Sequence, residues 1–257
     1  MKNMMKTKNI TLVALASALS FSALSGAINI SSTFANDYAP GTFGDAGTFV
    51  SSYTVPIADL TAQSFSALGS DKLVLSVSTK ADSSPGGAVT SLTYDGTAMT
   101  NVFQETFTRT QQELWYLDDV TSDGDIDLTF DAGIEGFGIY LWALDGTQAG
   151  GPQDTASEAA GDLTMPELTT STGGAFVLWE VSGNRDSLNY SGSYSNAKTS
   201  FGGRGDSRAL WNVEGAAGTF SESIDDDANG GGYVGAAFQA IPEPGSFALL
   251  AGMFGLT

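Results

Sequence analysis

Apolar and polar positions alternate with a period of two through much of this chain, and helical periodicity is hard to find. Short runs rich in Val, Thr, Tyr, Phe and Trp stand between clusters of Gly, Asp, Ser and Asn, the pattern of strands separated by turns. It predicts strands at 48–55, 72–79, 89–94, 98–103, 113–117, 126–130, 137–144, 175–181, 209–213, 219–224 and 233–240. Within two of them the inward face is readable: Leu73, Leu75 and Val77 against Val74, Ser76 and Ser78, and Val234, Ala236 and Phe238 against Gly235, Ala237 and Gln239. The first set of each should face the core. Tyr94-Asp95-Gly96-Thr97 predicts a two-residue hairpin, because Asp-Gly tolerates the positive φ that such turns require. Residues 89–94 and 98–103 should therefore pair. Stretch 149–168 reads as a long connection, and 183–207, with Tyr190, Tyr194 and Phe201 among Ser, Asn and Gly, as hairpin and loop. The expected fold is all-β, a single antiparallel β-sandwich of jelly-roll type.

The two ends do not fit this pattern. Lys2, Lys6 and Lys8 precede an apolar or small run from Ile10 to Leu24, the charged and apolar regions of a secretory signal peptide. Cleavage would follow Ala27, with Ser25 at −3, or Ala35, with Thr33 at −3. The chain thus divides into a signal at 1–35, a β domain at 36–240 and a final segment at 241–257. That segment opens with Ile241-Pro242-Glu243-Pro244-Gly245, where two prolines remove two backbone donors and exclude a helix interior or a central strand. Behind it an uncharged run reaches Thr257. As a helix these last residues would span about 18 Å, short of the roughly 30 Å of a bilayer's hydrocarbon core.

In Pro242, Glu243 and Pro244 and the apolar run behind them, the chain resembles the PEP-CTERM proteins. These are bacterial exported proteins with a Pro-Glu-Pro motif, a hydrophobic helix and a short basic tail. The resemblance implies sorting by an exosortase-type membrane enzyme, transient membrane anchoring, and a destination at the cell surface or in extracellular polymer. Half the helix and the basic tail have no counterpart before Thr257, so the helix is expected to be incomplete and the chain to continue. A second resemblance covers roughly 72–181. The hairpin Val89 to Thr100, the strand Glu113-Leu114-Trp115-Tyr116-Leu117 and the strand Ile126 to Phe130 are similar to a β-sandwich module common in bacterial exported proteins. It implies a fold and carries no catalytic residues with it.

Charge and missing residue types narrow the chemistry. Beyond the three signal lysines, seven cations face twenty-nine acids, a net −22. Nucleic acid is excluded as a partner, since phosphate binding needs clustered cations. Cys and His are both absent, which removes Ser-His-Asp and Cys-His catalysis and the usual zinc, haem and iron–sulfur sites. No disulfide can hold the domain, so its stability is expected to rest on sheet packing without a cofactor, bound calcium being the possible addition.

Three constellations remain. Asp225, Asp226, Asp227 and Asn229 before a Gly run offer hard oxygen ligands to calcium. Asp123-Gly124-Asp125-Ile126-Asp127 resembles the start of a calcium loop, but Leu128 and Ile134 stand where Gly and Glu are needed; Asp125 and Asp127 should instead point outward from a strand. Trp115, Tyr116, Trp142, Trp179 and Trp211 are the stock for a sugar-stacking face, though alternation puts several in the core. Glu113, Glu135 and Glu180 are the glutamates nearest aromatic strands, where paired carboxylates would hydrolyse glycosides. The leading expectation is an exported, non-enzymatic structural or adhesive protein. A carbohydrate-binding module, calcium-dependent or not, is the alternative, and a polysaccharide hydrolase the third.

Overall fold

A computed structural model of the protein describes residues 26–39, 49–81, 84–159, 163–183, 188–200, 205–225 and 230–241. The first strands are β1 (Asn29–Tyr38), β2 (Val50–Val55), β3 (Lys72–Ala81), β4 (Ser84–Pro85), β5 (Val89–Tyr94) and β6 (Thr97–Ala98). Next come β7 (Thr100–Thr106), β8 (Gln111–Asp118), β9 (Ile126–Ile134), β10 (Gly136–Asp145), β11 (Asp154–Ala159) and β12 (Leu168–Thr170). The last are β13 (Ala175–Gly183), β14 (Ser195–Ser200), β15 (Asp206–Glu214), β16 (Gly218–Phe220) and β17 (Gly232–Phe238). One short helix, α1 (Ile57–Ala62), follows β2. No helix among the described residues is long and apolar enough to cross a membrane.

All pairings between these strands are antiparallel, as expected, but the sheets stack in three layers rather than as one two-sheet sandwich. The first sheet runs β2-β9-β5-β6, the central sheet β1-β10-β3-β8-β7 with β4 beside β3, and the third β11-β17-β13-β15-β14. A β12-β16 pair caps the third sheet's outer face. The cause lies in the strand composition. Nearly every residue of β3, β10 and β13 is buried, on both faces; β10 is apolar on both, while β3 and β13 meet across the layers through Ser76, Ser78 and Glu180 as well as through apolar side chains. A strand apolar on both faces, as β10 is, needs a partner layer on each side.

The core accordingly has three parts. Leu73, Leu75, Val77, Ile139 and Leu141 pack against Leu92, Ile126, Leu128 and Phe130 of the first sheet. Across the central sheet, Val74, Leu114, Tyr140 and Trp142 meet Phe176, Leu178, Ala236 and Phe238 of the third. Val177, Trp179, Leu210 and Tyr233 lie beneath Met165, Leu168 and Ile224. Val74, Ser76 and Ser78, expected to face outward, are therefore as buried as Leu73, Leu75 and Val77.

The Asp95-Gly96 turn forms as predicted, with φ of 48° and 73° and Tyr94 opposite Thr97. Pairing ends with the Met99 amide donating to Leu92 O at 3.0 Å, however. Met99 turns inward, and the chain crosses to the central sheet, where β7 pairs with β8. Switching sheets lets one hairpin arm close two layers. Along β9 the alternation holds: Ile126, Leu128 and Phe130 are buried and Asp127 and Thr129 exposed.

Sheet structure begins at Asn29, ahead of the expected start at residue 36. Ahead of β1, the Ile28 amide donates to Gly174 O at 3.0 Å and the Gly26 amide to Ile241 O at 3.3 Å. The expected signal core up to Leu24, the Pro242-Glu243-Pro244 motif and the apolar run behind it lie outside the described residues.

Candidate functional site

β1 is an edge strand of the central sheet and β14 of the third, the two lie side by side, and a groove of about 300 Å³ opens where they meet. Thr33, Gln63, Tyr140, Trp142, Asn196 and Trp211 line it. β10 sends Tyr140 and Trp142 toward the third sheet because they alternate with Ile139 and Leu141, which face the first. Trp211 sits on β15 opposite Leu178 of β13 and Ser195 of β14. The two indoles meet edge to face, ring centres 5.6 Å apart, and Tyr140 stacks on Trp142 at 6.1 Å.

Trp142 is 1% exposed, yet its Nε1 has no hydrogen-bond partner among the described residues. A buried indole N–H ordinarily finds an acceptor. Asn196 accepts from the Arg208 guanidinium, which also donates to Leu188 O at 2.9 Å, so the amide is held in orientation.

Beneath the groove lies a buried polar network. Tyr140 Oη shares hydrogen bonds with Thr199 Oγ1 at 3.1 Å and Ser207 Oγ at 2.9 Å, and accepts from the Thr199 amide at 3.1 Å. Ser76, Ser78 and Ser207 donate to the Glu180 carboxylate. Burial pushes Glu180 up to about 7 against the opposition of those bonds. Asp206, wholly buried, is ion-paired with Lys198. On β1, Asp37 is held above the usual carboxylate range, chiefly by burial and then by the charge of Asp206.

The remaining predicted residues lie elsewhere. Trp115 belongs to the core between the first and central sheets and donates to Glu113 Oε2 at 3.1 Å. Tyr116, on the other face of β8, lies under the Lys72 ammonium at 4.5 Å. Trp179 is buried beyond the third sheet and donates to Pro166 O at 3.0 Å. Thus of five aromatics the fold brings two together.

Glu113 and Glu180 lie on opposite faces of the central sheet. Glu113, opposite Val77, accepts from the Val89 amide of the first sheet at 2.6 Å, and burial pushes it up to about 7. Glu180 approaches the central sheet from the opposite side, at Ser76 and Ser78. A sheet stands between them. Glu135 is buried where β9 turns into β10, its amide donating to Lys80 O at 3.0 Å.

Asp225 accepts from Ser191 Oγ at 3.0 Å, and its amide donates to Asn189 O. Asp226, Asp227 and Asn229 fall outside the described residues, and no cluster of three or more metal-ligating side chains occurs among the described ones. Asp123 has a structural task. Burial alone would raise its pKa, but bonds from Ser66 Oγ, the Ala67 amide, Tyr94 Oη and the Leu68 amide hold it below the usual range.

No protein-family model, curated protein or solved structure matches this chain. Its function has to be read from these residues. Sequence reasoning missed Asn196, Gln63 and Thr33, for which periodicity carries no signal. Thr33 and Asn196 meet because β1 and β14 come side by side, and Gln63 reaches them from the end of α1.

Proposed function

We propose that this is an exported, non-enzymatic β protein of the cell surface or extracellular polymer that adheres by binding carbohydrate in the Trp142–Trp211 groove. The observation that carries this reading is a groove in which a half-buried indole, Trp211, stands beside an oriented amide and hydroxyls. A pyranose offers an apolar face to Trp211 and hydroxyl acceptors to the Asn196 amide. Separation of Glu113 from Glu180 supports binding without hydrolysis.

A glycan array spanning neutral, amino and acidic polysaccharides tests this. We expect binding that falls at least about tenfold in Trp211→Ala, with the fold retained because Trp211 is only partly buried. Absence of binding across the array sinks the reading.

Export and sorting rest on the two terminal signals. The hydrogen bond from Gly26 to Ile241 supports their acting together, because both segments leave the domain at neighbouring points. Such an arrangement presents one pole of the molecule to a membrane enzyme of the exosortase type. Cleavage after Ala27 leaves β1 whole, whereas cleavage after Ala35 would delete Phe34 from the core and most of an edge strand. The mature protein is expected to begin at Ile28. N-terminal sequencing of secreted material checks this, and a start at Asn36 would refute it.

A further inference from the structure

On the face of β1 and β10 turned away from the tryptophan groove, a cleft of about 350 Å³ lies against the segment that follows α1. Ser31, Ser32, Ser64, Ser66, Ser70 and Asp145 line it. Ser32 and Asp145 share this face with Phe34 and Ala143, which point to the first sheet, whereas Thr33 and Trp142 point to the third. Alternation along two paired strands thus puts a sheet between the cleft and the groove.

Local backbone features gather the hydroxyls. A β-bulge leaves Ser31 unpaired between Ile30 and Ser32, so two consecutive residues turn to one side where regular alternation would turn one of them away. Ser31 Oγ donates to Ala143 O at 3.2 Å and lies 3.3 Å from Ser70 Oγ, and the Ser66 amide donates to Ser32 Oγ at 3.4 Å. Ser64 holds φ at 60°, a left-handed conformation unusual outside glycine that the surrounding bonds must maintain. Asp123 pins the segment, Oδ1 accepting from the Ala67 and Leu68 amides at 2.8 and 3.0 Å and Oδ2 from Ser66 Oγ at 2.6 Å. A rim fixed in advance loses little entropy on binding.

Asp145 alone among the described lining residues is charged. Its carboxylate has one hydrogen bond among the described residues, from Asn29 Nδ2 at 3.5 Å, which is longer than ordinary N–H···O bonds and leaves most of its accepting capacity unused. We infer that the cleft is a second binding site, independent of the groove, for a free ammonium group on a hydroxyl-bearing frame: an amino sugar whose amine is not acetylated. An ammonium has three donors and no acceptor. Asp145 meets one donor in a charge-assisted bond, and serine oxygens meet the others. Serine hydroxyls also donate, which suits the hydroxyls of the ligand. Calcium would need about six to eight oxygen ligands, and no cluster of three metal-ligating side chains occurs among the described residues. A net charge of −19 draws cations to the chain and disfavours uronates and sulfated sugars.

Calorimetric titration of the Trp211→Ala variant, in which the groove is disabled, with glucosamine, N-acetylglucosamine and glucose tests the inference. Glucosamine is expected to bind about tenfold or more tighter than the other two. Asp145→Asn, nearly isosteric and at a partly exposed position, should erase that preference when added to Trp211→Ala. It removes one of 29 acids, so diffuse attraction of a cation to the chain would survive it. Raising the pH above the pKa of the sugar's amine should erase the preference as well, because the ligand is then neutral. Equal affinity for the three sugars, no glucosamine binding, or a preference that survives Asp145→Asn or deprotonation of the amine overturns the second site and leaves the groove untouched. Glucosamine binding through Asp145 without any glycan binding through Trp211 keeps the second site and sinks the groove.

Discussion

Asp118→Ala is expected to destabilise the protein by about 3–5 kcal/mol, the usual cost of leaving a buried charge without its partner. The Lys72 side chain is wholly buried and paired with Asp118. Its ammonium also donates to Gly150 O at 2.7 Å and lies over the rings of Tyr116 and Phe238. Asp118 in turn accepts from the Gly150 amide at 2.7 Å. Losing the carboxylate strands both donors. In a domain of this size the melting temperature should fall on the order of 10 °C.

Two companions identify the cause. Lys72→Met together with Asp118→Ala should recover much of the loss, since an apolar side chain suits the Tyr116–Phe238 cage better than an unpaired ammonium. Burial already lowers the Lys72 pKa despite Asp118. Hence the single Asp118→Ala variant should gain stability as pH rises, because its buried amine becomes neutral while the unfolded chain still binds the proton. Denaturant unfolding at pH 7 and pH 9.5 reads both effects. A double variant no more stable than Asp118→Ala would refute the stranded-charge account.

Between pH 4.5 and 7 the protein is expected to lose stability as pH rises, the reverse of ordinary acid denaturation. Glu180 and Glu113 are each pushed by burial from an ordinary 4.5 up to about 7. An acid whose folded pKa lies above its unfolded one stabilises fully below the unfolded value, and that contribution disappears as pH passes the folded value. Each glutamate should therefore account for about 3 kcal/mol over the window. Asp123, held below its ordinary value, works in the opposite direction but at lower pH. Glu180→Gln keeps an uncharged acceptor for Ser76 and Ser78 and should remove about half the slope. Urea midpoints at pH 4.5, 6 and 8 for both proteins decide it; identical slopes would show that Glu180 does not titrate in this range. Because Ser207 joins Glu180 to Tyr140, the same titration reaches the floor of the groove.

Strands were legible where side chains do the pairing's packing, and illegible where the backbone alone does. Residues 89–94 were predicted to their ends. β11, with the sequence Asp-Thr-Ala-Ser-Glu-Ala, and β14, with Ser-Asn-Ala-Lys-Thr-Ser, carry almost no apolar side chains; the first falls in a stretch that reads as a connection and the second in one that reads as hairpin and loop, with no strand bounds in either. Both are edge strands. Polar residues are common there, since one edge faces solvent and the ladder on the other side needs only peptide groups. β1 was hidden differently, its small residues merging with those that end a signal peptide. Phe34 and Tyr38, both buried, were the signal available within it.

The third layer was also written in the sequence, though alternation concealed it. Phe137 to Leu144 and Ala175 to Val181 are almost continuously apolar, as strands buried on both faces must be. Taking Ser76 and Ser78 as solvent-facing cost that inference, because their partner, Glu180, lies 102 residues or more away.

By itself, the sequence determined the all-β antiparallel class, the Asp95-Gly96 turn and the absence of cysteine and histidine chemistry. Each of these depends on local preference or on composition, which no folding changes. Tertiary structure decided which tryptophans meet, that Glu113 and Glu180 lie on opposite faces of a sheet, and that β1 and β14 frame a groove. Those facts depend on sheet order and on contacts between residues far apart in the chain. Strand periodicity says which way a side chain points, and only the stacking of sheets says what it points at.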